Sequence, residues 1–538
     1  MAIKNIVSAT MQTALETPND LYSTWLPVWT QAQDIADGSK AVKAKGVAYL
    51  PKTSLMEVLA NGDDLYDSYK LRANFFNGTG RTVDGLLGLV YRKEPILTAP
   101  DVIIDMAKNV NLKNQTFTSF SKKYLEEVIL KNRVGLLVDY PVKYNTISTA
   151  EATRLNLRPF FVMFKASSIL DWDEERINNV YKTSFIMLRE VEQKRTDLEV
   201  TSVEKRRILD LVQPEQELSE MISRIEDRNP NPEEEIAILL ETTPRYYRQR
   251  IYIKEEVIAV GETKTNNNES WVLQSEIFPT DIKGNRFTEI PFFVTTDRGI
   301  SLDLDYSMVY DLSEVNLSLY RNSADLENIN HVGSNPTPCA VGLKSTMLSN
   351  PNISEKPEST SPTVALGLNT LLEFEEGGSS WMLEPSGNGA SSVEAMMRTK
   401  KEEMALLGSR ILASDPKGVE AVETAQIHQS GEQGVLASAV DAIIETFLKG
   451  FAVMYQWQTG MEVPEMKIDI SKDFVPGRLS AADVSTAVMA MQQGGLAPSD
   501  LFKLLQKGEW IDATKKFEDH EKEIDVMLKK VADAGTIF

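Results

Sequence analysis

The chain has 538 residues, 42% of them hydrophobic, and its 57 Lys and Arg against 78 Asp and Glu give a net charge of -21. This length and apolar content predict a large folded protein of about three to four compact units. This excess of acidic residues excludes a protein that binds nucleic-acid phosphates over its whole surface. An acidic surface would instead repel DNA and let it slide past. The simpler explanation of the negative charge is that it keeps the protein soluble.

Short helical patterns and turn signals alternate up to about residue 140. The turn signals include residues 61–63 and the pair Asn77 and Gly78, and the apolar spacing predicts a helix over 65–76. We therefore expect the first unit to be mainly helical.

From about residue 158 the pattern changes to short β-rich runs separated by polar connectors. The runs are 160–164, 184–188, 246–253 and 291–294. They predict a unit that contains a sheet. Residues 214–241 are dense in Glu and include two Asn-Pro pairs, so we expect an exposed insertion there.

A long helix is predicted over residues 304–329, because apolar residues recur at three, four and seven positions. The stripe consists of Met308, Leu312, Val315, Leu319, Leu326 and Ile329. The remaining faces carry Asp305, Asp311, Glu314, Asp325 and Glu327 against one basic residue, Arg321. A solvated helix face explains this acidic flank as well as a functional surface does.

Residues 332–379 contain five prolines and many Ser, Asn and Gly, which excludes a long helix and predicts a compact loop-and-strand module. A second helix is predicted over 392–412, and it ends at 414–418, where Pro416 and Gly418 both oppose continuation. Two helices therefore bracket an irregular module. Helical patterns resume over 424–457 and again over 479–534.

No signal peptide or membrane span is expected. The start of the chain lacks a basic segment followed by an apolar run. The most apolar long stretch, 435–457, is interrupted by Asp441, Glu445 and Lys449, which form one polar stripe on a helix.

Residues and motifs typical of catalytic, cofactor-binding or metal-binding sites are sparse in this sequence. The single cysteine, Cys339, cannot form an internal disulfide, so we expect a chain made in a reducing compartment. Cys339 and the three histidines, His331, His428 and His520, do not have the spacing of metal ligands. Phosphate-loop, dinucleotide, zinc-hydrolase and nucleophile-elbow motifs are missing from the sequence. We expect no enzymatic activity, no cofactor and no metal ion.

Residues 70–95, KLRANFFNGTGRTVDGLLGLVYRKEP, resemble the N-terminal signature of a subfamily of portal proteins of tailed bacteriophages. Similar segments follow in the same order at 134–141, 316–325, 336–338, 383–387 and 403–410. The resemblance spans most of residues 45–460. After 460 only the general helical character is similar.

The resemblance implies an α+β portal-type fold with a helical wing and crown, a β-containing wing sheet, a two-helix stem and a small α/β clip, assembled as a ring of usually twelve copies. The parts would be a wing over 1–303, stem helices over 304–331 and 391–413, a clip over 332–390, a tunnel loop over 414–420, a long wing helix with connector over 421–474 and a crown over 475–538.

The function implied is that of a conduit at a capsid vertex for packaging and ejection of viral DNA. Implied partners are the other copies of the chain, the large terminase subunit, major capsid and scaffolding protein, a head-tail adaptor or tail protein, and double-stranded DNA that passes without sequence specificity. The protein would reside in the virion, and in the host cytoplasm during assembly. Two alternatives stay open: another ring-forming head-tail adaptor component, and a cytoplasmic enzyme whose site is assembled from distant residues.

Candidate channel and interface residues follow from this layout. Twelve copies would carry twelve times -21, that is -252 charges, so we expect a weakly repulsive channel with a few basic contacts. The channel candidates are Lys417 and Asp415 in the helix break, and Asp311 and Glu314 on the first long helix. Phe447, Phe451, Tyr455 and Trp457 are candidates for the interface between copies, with simple core packing an equally good explanation.

Overall fold

The computed structural model describes residues 7–141, 154–229, 232–256, 269–333, 337–343, 374–383, 388–412, 422–472, 481–508, 510–511 and 515–535. It is 52% helical and 24% strand, with several open sheets, which confirms the α+β class.

Eight helices form the first part of the described chain. They are α1 (Ala9–Glu16), α2 (Asp20–Asp37), α3 (Ser39–Ala44), α4 (Ser54–Val58), α5 (Gly62–Arg72), α6 (Gly78–Val90), α7 (Asp101–Ala107) and α8 (Phe117–Lys131). Side-chain oxygens cap several of them: Asn19 accepts from the Leu21 amide, Asn77 from the Gly80 amide and Thr116 from the Ser119 amide. The predicted helical character of this unit is confirmed, although α5 ends at Arg72 rather than at residue 76.

Two antiparallel sheets follow. Their strands are β2 (Val134–Asp139), β3 (Phe160–Lys165), β4 (Ile169–Ile177), β5 (Val180–Thr196), β6 (Glu199–Val212), β7 (Tyr246–Glu256), β8 (Glu269–Ile277), β9 (Phe292–Thr296) and β10 (Gly299–Ile300). The short strand β1 (Ile96–Thr98) precedes them and belongs to neither sheet. One sheet has the order β10-β9-β2-β3, and the other is the meander β4-β5-β6-β7-β8. Three of the four predicted β-rich runs lie within these strands, and the fourth, 291–294, begins one residue before β9.

Helices α9 (Glu215–Arg228) and α10 (Glu233–Thr242) connect β6 to β7. Most of their described side chains are exposed, and only Ile225 is buried. The described residues of the predicted insertion at 214–241 thus include two short, mainly exposed helices.

The last part of the chain is mainly helical. It contains α11 (Tyr310–Gly333), β11 (Thr337–Leu343), β12 (Phe374–Leu383), α12 (Asn388–Leu412), α13 (Val422–Thr459), β13 (Lys467–Asp469), α14 (Ala481–Gln492), α15 (Pro498–Lys507) and α16 (Phe517–Gly535). Strand β13 pairs with β1 and so fastens the C-terminal part to the N-terminal part. The predicted helices on either side of a proline-rich module, and the helical C-terminal portion, are present.

Helix α11 begins at Tyr310, later than the predicted residue 304. The reason lies in the backbone carbonyls that precede it. Leu302 accepts a hydrogen bond from Arg133 at 2.8 Å, and Tyr306 accepts one from the Asn132 side chain at 3.2 Å. Side chains of the neighbouring loop therefore hold these residues outside the helix.

The main core surrounds α13, which packs against α7, α8, β2 and β9, and α6 contributes to the same cluster. Phe447 and Phe451 are fully buried and Trp457 is 4% exposed, while Tyr455 is partly buried on the same cluster. Phe117 contacts both Phe447 and Phe451, with ring centroids 5.2 and 5.5 Å apart. The three buried rings have no surface for another copy, so core packing accounts for them and the suggested interface role does not.

Buried polar groups in this core are bonded to one another. The Tyr124 hydroxyl lies 2.7 Å from Thr295 Oγ1, which lies 2.7 Å from Thr446 Oγ1, so α8, β9 and α13 are joined by one chain of hydroxyls. Complete burial raises the pKa of Tyr124 far above its usual range. Such a connected network specifies how the three elements pack.

A buried ion-pair network joins the two sheets. Arg207 on β6 lies 2.7 Å from Asp139 on β2 and 2.7 Å from Glu190 on β5. Burial acts to lower the pKa of Arg207, but the two carboxylates outweigh it and raise the pKa above its ordinary value. The guanidinium therefore stays charged inside the protein.

Candidate functional site

Helices α11 and α12 lie side by side. At 1.5 Å per residue, their 24 and 25 residues are each about 36 to 38 Å long. Leu312, Leu319 and Met404 are buried between them, and Lys400 Nζ donates to Ser318 Oγ at 2.7 Å. Partial burial lowers the pKa of Lys400.

Helix α11 has a second buried face. Leu317, Tyr320 and Ala324 pack against the helices around α5 and are at most 2% exposed. The single apolar stripe predicted for this helix is therefore incomplete: Leu312, Val315 and Leu319 face α12, and the second set faces the N-terminal helices. Burial raises the pKa of Tyr320 to about 12.

Asn316 joins α11 to the start of α6. Its side chain is fully buried, its Oδ1 accepts from the amides of Gly78 and Thr79 at 3.1 and 3.0 Å, and its Nδ2 donates to the Phe76 carbonyl at 2.8 Å. The Thr79 hydroxyl donates to the same oxygen at 3.1 Å. One amide thus satisfies donors at a helix start that would otherwise be buried without partners.

Helix α12 also contacts the first turns of α6. A Cβ added at Gly78 would lie 2.3 Å from Met404 Cε, and one added at Gly408 would lie 3.0 Å from Thr82 Oγ1. We call residues 76–82, Asn316, Met404 and Gly408 the junction. It brings together three of the segments that carry the portal resemblance, which are 70–95, 316–325 and 403–410.

Two further contacts fix α11 along its length. The Tyr69 hydroxyl donates to Asp325 Oδ1 at 2.6 Å, and Arg321 Nε donates to the Tyr49 carbonyl at 2.9 Å. Burial, followed by the bond to Asp325, raises the pKa of Tyr69 well above its ordinary value. Sequence reasoning did not identify Asn316 or Tyr69, and the only signal available was their position in or beside the resembling segments.

The predicted acidic flank of α11 is largely on the surface. Asp311, Glu314 and Glu327 are exposed, and Gln31 donates a hydrogen bond to Glu314. Partial burial and then the charges of Glu314 and Asp311 raise the pKa of Tyr310. Arg321, the one basic residue among them, is engaged with a backbone carbonyl. The exposed face is therefore acidic.

Between the two helices, β11 and β12 form an antiparallel pair, which we call the foot. Cys339 faces Trp381 in the register, and Val341 and Trp381 are 57% and 51% exposed. Strand pairing within the predicted irregular module agrees with the loop-and-strand expectation.

Two predicted channel residues, Lys417 and Asp415, lie outside the described residues, as does the proposed tunnel loop at 414–420. Of the four channel candidates, only Asp311 and Glu314 can be placed.

Within the described residues, no group of three or more His, Cys, Asp and Glu is arranged to hold a metal ion. A cavity of about 280 Å³ opens beside the start of α9, where Arg286 stacks on Tyr246 and Phe278 and Arg248 pairs with Glu276.

None of the helices in the described ranges combines the length and the apolarity that crossing a membrane requires.

A family model described as a domain of unknown function (DUF4055) matches residues 309–458. The match covers 150 of 538 residues, and it runs through α11, the foot, α12 and nearly all of α13. No curated protein matches the chain. The matched segment therefore consists of the helix pair, the foot and most of the core helix that follows them.

Proposed function

We propose that the chain is a subunit of a portal ring of a tailed bacteriophage, through which viral DNA is packaged and ejected. The junction carries the proposal. Three resembling segments are bonded and packed together through Asn316, Gly78 and Met404, and the first of them lies more than 200 residues before the other two. A resemblance arising by chance would have no reason to select residues that touch in space.

The helix pair supports the same function. Two helices of 24 and 25 residues joined through a two-stranded foot match the stem and clip that a portal subunit requires. In the ring, α11 and α12 would be the stem, the foot would be the clip, and α14 to α16 would form the crown. Helix α13 and the two sheets would belong to the wing.

The acidic face of α11 would line the channel. Asp311 and Glu314 are exposed on it, and phosphates are repelled by carboxylates. Repetition of this face around the ring would give a wall along which DNA slides. Lys417 and Asp415 remain candidates for transient contact at the tunnel loop.

Partners follow from the proposed position. The large terminase subunit would dock on the foot during packaging, a head-tail adaptor or tail protein would follow it, and capsid and scaffolding protein would surround the wing. The protein would be found in the virion.

The proposal is tested by imaging the purified chain. Negative-stain class averages should show rings with a central hole, and a ring whose Asp311 and Glu314 are both changed to Lys should retain linear double-stranded DNA at low salt while the parent ring releases it. Another adaptor would form rings in which these two changes leave DNA retention as it was, and an enzyme would give small compact particles.

A further inference from the structure

The cavity of about 280 Å³ lies where the insertion formed by α9 and α10 leaves the five-stranded sheet. Its apolar lining consists of Val212 at the end of β6, Pro214 before α9, Tyr246 at the start of β7 and Phe278 after β8. Sites that hold a whole small molecule usually measure about 300 to 1,000 Å³. The cavity is therefore suited to a single large side chain.

The charged groups in and beside the cavity largely balance one another. Arg248 donates to both carboxylate oxygens of Asp210, at 3.0 and 2.7 Å, and pairs with Glu276 at 3.0 Å. Arg286 lies over both aromatic rings of the lining, 5.3 and 5.5 Å from their centroids. Two arginines thus face two carboxylates, and Glu215, the remaining charged residue of the lining, belongs to the first turn of α9. A small ion would gain little here.

The insertion is strongly acidic. Residues 215–242 contain nine Asp and Glu against two Arg, a net charge of -7. Both arginines already pair within the insertion, Arg224 with Glu220 at 4.0 Å and Arg228 with Glu235. The remaining seven carboxylates are in excess. Such a surface repels nucleic acid and attracts a basic partner.

Both helices of the insertion are fixed beside the cavity. Glu215 begins α9 and lines the cavity, and Gln213, another lining residue, donates to the Leu240 carbonyl near the end of α10 at 2.5 Å. Apolar side chains are exposed on the same surface, since Ile238 is 55% and Phe278 42% exposed. A partner that lies along these helices therefore meets carboxylates, exposed apolar groups and one recess.

We propose that the cavity together with α9 and α10, which we call the insertion site, binds a basic segment of a partner protein. One large apolar side chain of that segment enters the cavity, and its Lys and Arg side chains face the carboxylates of the insertion. An apolar anchor in a pocket supplies most of the binding energy, and opposite charge around it selects the partner. The inference is independent of the proposed ring.

The test begins with the full-length chain and a random peptide library displayed on phage. Enriched peptides should carry a net positive charge and at least one large apolar residue. Binding of a labelled copy of the most enriched peptide, followed by fluorescence anisotropy, should weaken from low to high salt, because exposed charges are screened.

Two variants then probe the two halves of the site. Glu233→Lys combined with Glu234→Lys changes the net charge of 215–242 from -7 to -3 and should raise the Kd about tenfold or more. Phe278→Ser removes part of the cavity wall and should also raise the Kd about tenfold. All three side chains are exposed, so the fold should persist, and urea titration checks it.

The matched control places the same charge change on another exposed helix. Glu518→Lys combined with Glu521→Lys, on α16, should leave the Kd unchanged. An equal loss in this control, enriched peptides without basic residues, or no enriched peptide would overturn the insertion site. A loss with the charge variant alone would mean attraction without an anchor, and peptide binding that disappears when chains assemble would mean that a second copy covers the cavity. Either result also overturns the proposal, and both leave the portal ring standing.

Discussion

Replacing Asn316 by Ala tests the junction most sharply. The substitution removes the acceptor used by two backbone amides and the Thr79 hydroxyl, and the donor to the Phe76 carbonyl. Each buried group left without a partner costs about 1 to 3 kcal/mol, and the Thr79 hydroxyl can rotate to another acceptor, so we expect a loss of about 3 to 5 kcal/mol in the free energy of unfolding. Urea titration measures it.

The same experiment has a local readout and a matched control. Amide hydrogen exchange at Gly78 and Thr79 should accelerate, because both amides lose their acceptor. Asn328→Ala changes an amide on the same helix that, among the described residues, accepts one long hydrogen bond from Arg72, at 3.4 Å, and it should cost less than about 0.5 kcal/mol. If Asn316→Ala costs no more than the control, or leaves the exchange of Gly78 and Thr79 unchanged, the junction does not hold the helix pair as argued.

Three further substitutions test the core. Arg207→Ala should cost about 3 to 5 kcal/mol in urea titrations, because Asp139 is left as a buried charge and the partly buried Glu190 also loses its partner, whereas Arg245→Ala, which breaks a more exposed pair with Glu175, should cost under about 1 kcal/mol. Tyr124→Phe should cost about 1 to 2 kcal/mol at pH 7. The raised folded-state pKa of Tyr124 makes its contribution complete below pH 10.0 and lost as the pH rises above it, so melting temperatures of parent and variant should converge there; a constant gap would contradict this. Gly450→Ala should cost about 1 to 3 kcal/mol, since the new Cβ would lie 2.8 Å from Phe161, and Gly434→Ala on the same helix, where the Cβ meets nothing, should not destabilise.

Periodicity predicted much of the fold because it reports which side of an element is buried. The four β-rich runs and the two helices around the foot follow directly from such patterns. Strand β2 was missed as a strand because all six of its residues are buried, so it lacks the alternation that marks a half-exposed strand. The apolar stripe of α11 was incomplete for a related reason: Leu317 and Tyr320 face a second partner, which no spacing rule for one face includes.

The junction could not be predicted from spacing at all. Asn316 is a polar residue inside a helix, and its partners at 76–79 lie about 240 residues away in the sequence. The buried aromatic residues of α13 show why the sequence could not separate a core from an interface. Apolar side chains on a helix are equally consistent with both until the positions of the neighbouring elements are known. Burial of Phe447 and Phe451 decides for the core.

The mass and rotational symmetry of the purified assembly show whether the chain forms the proposed ring. Twelve chains of 60.2 kDa give about 720 kDa, so a particle of this order with a cyclic axis and an open centre is expected by mass photometry and in class averages of the same sample. A particle of one or two chains at all concentrations, or a large particle without a central opening, would contradict it.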